Sequence, residues 1–275
     1  MALIQVNYLS KSLFRTVPLN VILPADKLDF ASLSYAMKDG QKFKTLYLLH
    51  GLLGNYTDWV TGTRIQRWAE EKNHAVVMPS GDNAFYVNSR INNNDYGTFI
   101  GKELVEITRK MFPLSDKRED TYIAGLSMGG YGAVRNGIVY SETFSHIGGF
   151  SSAVHHFEKD DKERFMVESL FGDMEKTLKT NASPTVAFEE LLSEKRPVPK
   201  FYLSCGTEDG LYDANIRLRE NLIKNGADVT WDEEKGGHDW DFWDSQIKKF
   251  IDWLPLDEAI SGLGSGNVKI DKNAD

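Results

Sequence analysis

The sequence predicts an α/β fold in which helices cover both faces of a mainly parallel, twisted sheet. Five short runs are continuously apolar, which is typical of strands buried on both faces. Between these runs lie segments whose apolar residues recur every three or four positions, as on amphipathic helices. Alternation of the two patterns is typical of a parallel sheet with crossover helices. The apolar runs are Thr45–His50, Ala75–Pro79, Thr121–Gly125, His146–Phe150 and Phe201–Cys205, and the helical segments are Arg64–Lys72, Gly101–Phe112, Tyr212–Asn225 and Trp240–Leu254.

Two parts of the chain depart from this alternation. Leu3–Leu9 and Leu13–Leu23 are β-rich and adjacent, which predicts an N-terminal antiparallel hairpin. His155–Pro199 separates two predicted strands and holds the helical patterns Phe157–Phe171 and Thr185–Leu192 without a strand. We expect this segment, about residues 155–199, to be an inserted cap; the alternative is an elongated crossover with no role in a site.

Composition limits the organisation and the partners of the chain. Its 275 residues suit one domain over residues 1–260, followed by a Gly/Ser-bearing C-terminal tail over residues 261–275. A net charge of −8 without a long basic run disfavours nucleic acid and anionic membranes as partners. Cys205 is the only cysteine, so an intrachain disulfide and CxxC motifs are excluded, and we expect a buried, inert thiol. Neither a secretory signal pattern nor an apolar run of 18 residues is present, which predicts a cytoplasmic protein without a membrane span.

The strongest chemical signal is the pentapeptide Gly125-Leu-Ser127-Met-Gly129. It directly follows a predicted strand and directly precedes a helical stretch, which is the context of a nucleophile elbow in the α/β-hydrolase fold. The turn is so tight that the serine backbone is strained, and glycines two residues before and after leave room where side chains would clash. We therefore predict Ser127 as a catalytic nucleophile, rather than a residue of an ordinary Gly-rich turn.

A serine hydroxyl needs a base that removes its proton. Of six histidines, His238 is the one in a polar Gly-rich loop between the strand-like segment Val229–Trp231 and a helix, C-terminal to the serine as the fold requires. We predict His238 as the general base. The other five histidines are expected to be structural or to line a pocket: His50, His74, His146, His155 and His156.

A third group must hold the histidine in the correct tautomer, and the acid loop after Phe201–Cys205 offers two candidates. Both Glu208 and Asp209 lie between the serine and the histidine in the chain order of the fold. The residues alone favour Asp209, which is shorter and precedes Gly210, but they leave Glu208 open. Asp213 is a weaker candidate and suits a helix start.

Acyl-transfer chemistry also needs hydrogen-bond donors where the oxyanion forms. One donor of this fold is the backbone N–H after the nucleophile, here that of Met128. The other comes from the loop after an early strand, which in this chain is His50-Gly-Leu-Leu-Gly54. We predict Leu52 as the second donor, with Leu53 as the alternative.

No metal and no cofactor is expected. Asp239, Asp241 and Asp244 cluster near the predicted base, but acidic residues at a solvated helix start are favoured by the helix dipole. Of the aromatic group Trp231, Trp240, Phe242 and Trp243, we expect core packing around the last helix and contact of at most one member with substrate.

Together these motifs resemble the esterase D-like group of α/β-hydrolases, most closely its tributyrin esterase branch, which is similar to bacterial feruloyl and acetyl esterases. The resemblance covers nearly the whole chain. The motifs that carry it are Leu48–Asn55 with Asp58-Trp59, Val77–Pro79, Lys117–Glu119, Ile123–Ala133, Cys205–Asp209 with Leu211, Tyr212 and Asn215, and Gly237–Trp240.

The resemblance implies a serine carboxylesterase for short-chain acyl esters of the tributyrin, acetyl or feruloyl type. It places the nucleophile, acid and base at Ser127, Asp209 and His238, and so favours Asp209 over Glu208. It also implies the oxyanion donors Leu52 and Met128. For the substrate pocket we expect Tyr86, Leu53, Trp240 and the insertion after Ala153. A small-molecule ester is the implied partner, and a homo-oligomer is compatible with such relatives.

Two further activities fit the same acyl-enzyme chemistry. S-formylglutathione hydrolases of the superfamily differ in the loop that here reads His50-Gly-Leu-Leu-Gly54, which disfavours a thioesterase. An acyltransferase would use the same three residues, but the related mycolyltransferases are exported. A non-catalytic binding protein is disfavoured because Ser127, Asp209 and His238 are all retained.

Overall fold

An eight-stranded, mainly parallel sheet forms the centre of the protein in the computed structural model, which describes residues 1–29, 32–89, 94–157, 168 and 170–256. The strands are β1 (Ala2–Ser10), β2 (Arg15–Leu23), β3 (Thr45–Leu49), β4 (Ala75–Pro79), β5 (Thr121–Leu126), β6 (His146–Phe150), β7 (Lys200–Gly206) and β8 (Val229–Glu234). Their order in the sheet is β1-β2-β4-β3-β5-β6-β7-β8. Within this sheet, the β1–β2 and β2–β4 pairs are antiparallel and the other pairs are parallel.

Burial along the strands follows from their places in this order. Every residue of β3, β4 and β5 is buried, because helices cover both faces at the centre of the sheet. The edge strand β1 instead alternates between partly buried and exposed positions, as a strand with one solvated face does. The predicted N-terminal hairpin is confirmed by the antiparallel register that pairs Ala2 with Leu23 and Ser10 with Arg15.

Helices pack on both faces and close two separate hydrophobic cores. The helices are α1 (Asp58–Gly62), α2 (Ile65–Glu71), α3 (Leu104–Met111), α4 (Met128–Val139), α5 (Met174–Thr177), α6 (Pro184–Ser193), α7 (Tyr212–Lys224) and α8 (Trp240–Trp253). One core combines the sheet with α3, α4, α6 and α7, and the other combines it with α1, α2 and α8. A short helix Tyr96–Thr98 and a π-helical turn Phe99–Glu103 precede α3, and 3₁₀ turns cover Arg118–Asp120 and His155–Phe157.

The sequence missed several short elements. Two-residue strands pair Leu28–Asp29 with Ser34–Tyr35 and Asn88–Ser89 with Asn94–Asp95, and such short pairs leave no periodicity to detect. In the 155–199 segment, α6 matches the helix predicted over Thr185–Leu192, whereas most of the helix predicted over Phe157–Phe171 lies outside the described residues. The tail over residues 261–275 lies outside them as well. Within the described residues, none of the helices combines the length and the apolar character that crossing a membrane requires.

Candidate active site

Ser127 occupies the sharp turn between β5 and α4. Its backbone has φ +53° and ψ −118°, a strained conformation for a residue with a side chain. Two hydrogen bonds hold the turn: Ser127 N–H donates to Phe150 O at 2.9 Å, and Ala153 N–H donates to Ser127 O at 3.0 Å. A Cβ on Gly129 would lie 2.5 Å from His50 O, so only glycine permits this close approach of α4 to the neighbouring loop.

His238 reaches this serine from the loop between β8 and α8. Its Nε2 lies 3.0 Å from Ser127 Oγ, although the two residues are 111 positions apart in sequence. The indole of Trp243 meets the imidazole edge to face, with ring centroids 4.9 Å apart and an interplanar angle of 88°. The histidine ring is therefore held from one side by packing and stays partly open to the cavity.

Asp209 completes a hydrogen-bonded chain with the histidine and the serine. Its Oδ2 lies 2.8 Å from His238 Nδ1, and its Oδ1 accepts a hydrogen bond from Leu211 N–H at 2.8 Å. Burial raises the pKa of Asp209, but hydrogen bonds from His238, Leu211 N–H and Ser151 outweigh it and hold the pKa below its ordinary value of 3.8. The alternative acid, Glu208, is exposed and lies 3.7 Å from Lys235.

Sequence reasoning missed a group that supports the acid. Ser151 is fully buried at the end of β6 with φ +46°, and its Oγ accepts from Trp243 Nε1–H at 3.3 Å. Because an indole only donates, the Ser151 hydroxyl keeps its own proton for the Asp209 carboxylate, whose pKa it lowers. Trp243 thus contacts the histidine directly and the acid through Ser151. The available signal was that Ser151 directly follows a parallel strand at the edge of the sheet where the site lies.

The predicted oxyanion donors are the backbone N–H groups of Met128 and Leu52, with that of Leu53 as the alternative to Leu52. Met128 is the first residue of α4, and Leu52 follows Gly51 in the loop after β3. Leu53 N–H is already donated to Asn83 Oδ1 at 2.8 Å, and its backbone has φ +64°. Leu53 therefore cannot serve as the donor without losing this bond, which favours Leu52.

His50 and Tyr86 hold the loop that carries Leu52. His50 Nε2 accepts from Gly81 N–H at 2.8 Å, so its Nδ1 is the protonated nitrogen and donates to Gly51 O at 2.7 Å. Burial lowers the pKa of His50, which keeps this neutral tautomer. The Tyr86 hydroxyl donates to His50 O at 2.9 Å from a fully buried position. His50 thus has a structural role, one of the two roles expected of it.

Ser127 lies in a cavity of about 480 Å³. Trp240 lines it as expected, and Trp243, a second member of the aromatic group around the last helix, lines it too. The expectations for Tyr86 and Leu53 need correction, because neither lines this cavity. Tyr86 is turned toward His50 O, and the left-handed backbone of Leu53 leaves its side chain 85% exposed to solvent. The lining residues are Gly51, Leu52, Asp58, Phe85, Leu126, Ser127, Met128, Ala153, His155, His156, Asp209, Gly210, Leu211, His238, Trp240 and Trp243.

Two of the acidic residues near His238, Asp239 and Asp244, have structural partners. Asp239 caps α8, because its Oδ1 accepts from Phe242 N–H at 3.0 Å. Asp244 accepts from Arg64 Nε–H at 2.8 Å. Cys205 is buried, and burial raises the pKa of its thiol to about 12. Its burial and its raised pKa both favour the inert thiol that we expected from its position.

The strand order, with the serine turn after β5, defines an α/β-hydrolase of the serine hydrolase class. The chain belongs to the esterase family described as "Putative esterase", whose model matches residues 10–253. It is 40% identical over 263 residues to an acetyl esterase of Caldicellulosiruptor saccharolyticus, covering 92% of this chain and 98% of that protein. The chain is therefore a carboxylic ester hydrolase.

Solved structures agree with this class. The fluorophosphonate-binding serine hydrolase F of Staphylococcus aureus is similar with a TM-score of 0.81 and 30% identity, over 93% of this chain and 99% of that chain. An S-formylglutathione hydrolase of the same organism has a TM-score of 0.78 and 29% identity, over 92% and 98% of the two chains.

Proposed function

We propose that the protein is a serine carboxylesterase that hydrolyses short-chain acyl esters of the acetyl, tributyrin or feruloyl type through an acyl-enzyme on Ser127. The observation that carries the proposal is the continuous hydrogen-bonded chain from Ser127 through His238 to buried Asp209, at a cavity of small-molecule size. The similarity to an acetyl esterase at 40% identity supports the short acyl group.

In the acylation step, Ser127 Oγ attacks the ester carbonyl carbon while His238 Nε2 takes the hydroxyl proton across the 3.0 Å contact. Asp209 accepts from His238 Nδ1–H at 2.8 Å, which fixes the tautomer with a free lone pair on Nε2 and stabilises the imidazolium that forms. The depressed pKa of Asp209 keeps the carboxylate ionised throughout the neutral range.

The negative charge of the tetrahedral intermediate develops on the former carbonyl oxygen. In our proposal the N–H groups of Leu52 and Met128 stabilise it from two sides of Ser127, and each such donor contributes about 10²–10³ in turnover. His238 then gives its proton to the leaving alcohol oxygen. Water enters, loses a proton to His238, and releases the acid from Ser127 by the reverse sequence.

Hydrolysis of p-nitrophenyl esters from acetate to octanoate, and of methyl ferulate, tests the proposal. We expect wild type to cleave the short acyl esters and Ser127→Ala to lose about 10⁴–10⁶ in kcat, because loss of one member disables the whole set. Ser193→Ala, an exposed serine at the end of α6, is the matched control and should keep full activity. Equal activities of wild type and Ser127→Ala would refute the assignment of the nucleophile.

A thioesterase acting on S-formylglutathione is the second candidate, since a solved S-formylglutathione hydrolase is 29% identical. The two functions are separated by kcat/KM for S-formylglutathione and for p-nitrophenyl acetate, measured on one preparation. We expect the oxygen ester to be preferred.

We also propose a cytoplasmic location and a small-molecule ester as the partner. A chain with one cysteine, which is buried, needs no oxidising compartment for its stability. Fractionation of the native host, followed by activity in each fraction, tests the location.

A further inference from the structure

Asp58 is a carboxylate in the cavity that the reaction above does not use. It is the first residue of α1, is half-buried, and lines the same cavity as Ser127 and Trp240. One carboxylate oxygen of Asp58, Oδ1, accepts a hydrogen bond from Asn55 N–H at 3.1 Å. Among the described residues, no hydrogen bond is made to its other oxygen, Oδ2, which lies against Gly54 and keeps its lone pairs unused.

A series of ring contacts connects this carboxylate with the base. The distances between ring centroids are 4.9 Å from His238 to Trp243, 5.2 Å from Trp243 to Trp240, and 5.6 Å from Trp240 to Trp59. Asp58 precedes Trp59 directly. His238 Nε2 must protonate the leaving oxygen or sulfur, so the leaving atom passes close to His238. Asp58 lines the same cavity as His238 and Trp240, so a leaving group that extends from His238 past Trp240 would come near the Asp58 carboxylate.

Among the described residues, no cationic side chain pairs with the Asp58 carboxylate. Among the described residues that line the cavity there are two carboxylates, Asp58 and Asp209, and no lysine or arginine. The charge of Asp209 is engaged by His238 at 2.8 Å. The carboxylate of Asp58 therefore differs from that of Glu208, which lies outside the cavity lining and 3.7 Å from Lys235.

We propose that Asp58 is a specificity-determining residue that selects substrates with neutral or cationic leaving groups and rejects anionic ones. The inference rests on the proposed esterase function and narrows its substrate class. Glutathione carries a net negative charge at neutral pH, so the same carboxylate disfavours glutathione thioesters. One unit charge at a separation of about 8 Å and an effective dielectric constant of about 40 changes kcat/KM by about fivefold.

Three aryl acetates that differ in the charge of the phenol test this proposal: p-nitrophenyl acetate, 4-acetoxybenzoate and 3-acetoxy-N,N,N-trimethylanilinium. Each is measured with wild type and Asp58→Asn, and only mutant-to-wild-type ratios are compared, which removes differences in intrinsic reactivity. The amide keeps an acceptor for Asn55 N–H. Asp241→Asn is the matched control, because Asp241 is exposed at the start of α8 and does not line the cavity.

Relative to the neutral ester, we expect Asp58→Asn to raise kcat/KM for the anionic ester about fivefold and to lower it for the cationic ester about fivefold. Added salt should reduce both effects. A uniform change across the three esters would show that Asp58 acts through the loop and overturn the proposal, as would an equal effect of Asp241→Asn. If wild type cleaved none of the three, the esterase function itself would fail, and this inference with it.

Discussion

Replacing Asp209 with asparagine keeps the size of the side chain and removes only its charge and one acceptor. The two carboxylate oxygens have different partners: Oδ1 accepts from Leu211 N–H at 2.8 Å, and Oδ2 faces His238 Nδ1 at 2.8 Å. An asparagine has one oxygen for these two positions. A backbone N–H can only donate, so the amide oxygen must take the position at Leu211.

The amide nitrogen then faces His238 Nδ1, and both groups would be donors. The neutral imidazole avoids this conflict by moving its proton from Nδ1 to Nε2, the nitrogen that lies 3.0 Å from Ser127 Oγ. A protonated Nε2 cannot accept the serine proton. Where this tautomer change occurs in serine proteases, turnover falls about 10⁴-fold, which corresponds to ~5 kcal/mol of transition-state stabilisation. We expect a loss of that size here.

The assay is kcat for p-nitrophenyl acetate at pH 7 to 9, with near-ultraviolet circular dichroism to show that the variant is folded. Glu208→Gln is the matched control, because Glu208 is adjacent in sequence but exposed, and its partner among the described residues is Lys235. It should keep activity within about twofold. If Asp209→Asn retained more than a tenth of wild-type kcat, or Glu208→Gln lost as much as Asp209→Asn, the assignment of the acid would be refuted.

Three further outcomes follow from buried groups. The pKa of Asp209 is depressed in the folded protein, so its ionised carboxylate stabilises the fold fully above pH 3.8, and this stabilisation is lost as pH falls through the folded pKa. The difference in free energy of unfolding between wild type and Asp209→Asn, measured in urea, should therefore shrink between pH 7 and pH 3. A difference that grows over this range would contradict the prediction. Tyr86→Phe leaves His50 O without its hydroxyl donor and should lower the free energy of unfolding by about 1–3 kcal/mol, measured by urea denaturation; an unchanged value would show that the bond is not needed. Burial raises the pKa of the Cys205 thiol to about 12, so Cys205 should react with iodoacetamide at pH 8 only after denaturant is added. Mass spectrometry of the labelled chain measures this reaction. Rapid labelling of the native protein would contradict the burial of the thiol.

The sequence carried enough local information for most of the fold and for the elbow. Strands buried on both faces are continuous apolar runs, and the central strands found at Thr45–Leu49, Ala75–Pro79 and Thr121–Leu126 match the predicted runs closely. The pentapeptide around Ser127 predicts a tight turn because its two glycines, Gly125 and Gly129, leave room on both sides of the serine where side chains would clash. This pattern is visible without the rest of the chain. Short pairs such as Asn88–Ser89 with Asn94–Asp95 carry too few residues for any period and were missed.

Tertiary contacts distinguish neighbouring residues that the sequence left as alternatives. Leu52 and Leu53 have identical side chains, but Leu53 N–H donates to Asn83, thirty residues away, and Leu52 alone of the two lines the cavity. Likewise, Tyr86 supports the loop that carries Leu52, because its hydroxyl donates to His50 O.

By itself, then, the sequence determined the α/β architecture, the strained serine turn and the candidates for base and acid, since these depend on periodicity and on spacing along the chain. The tertiary structure alone placed Ser151 and Trp243 behind Asp209 and His238, and Asp58 on the wall of the cavity. Such placements depend on where strand ends and loops meet in space, because hydrogen bonds and charges act over a few ångströms whatever the separation in sequence.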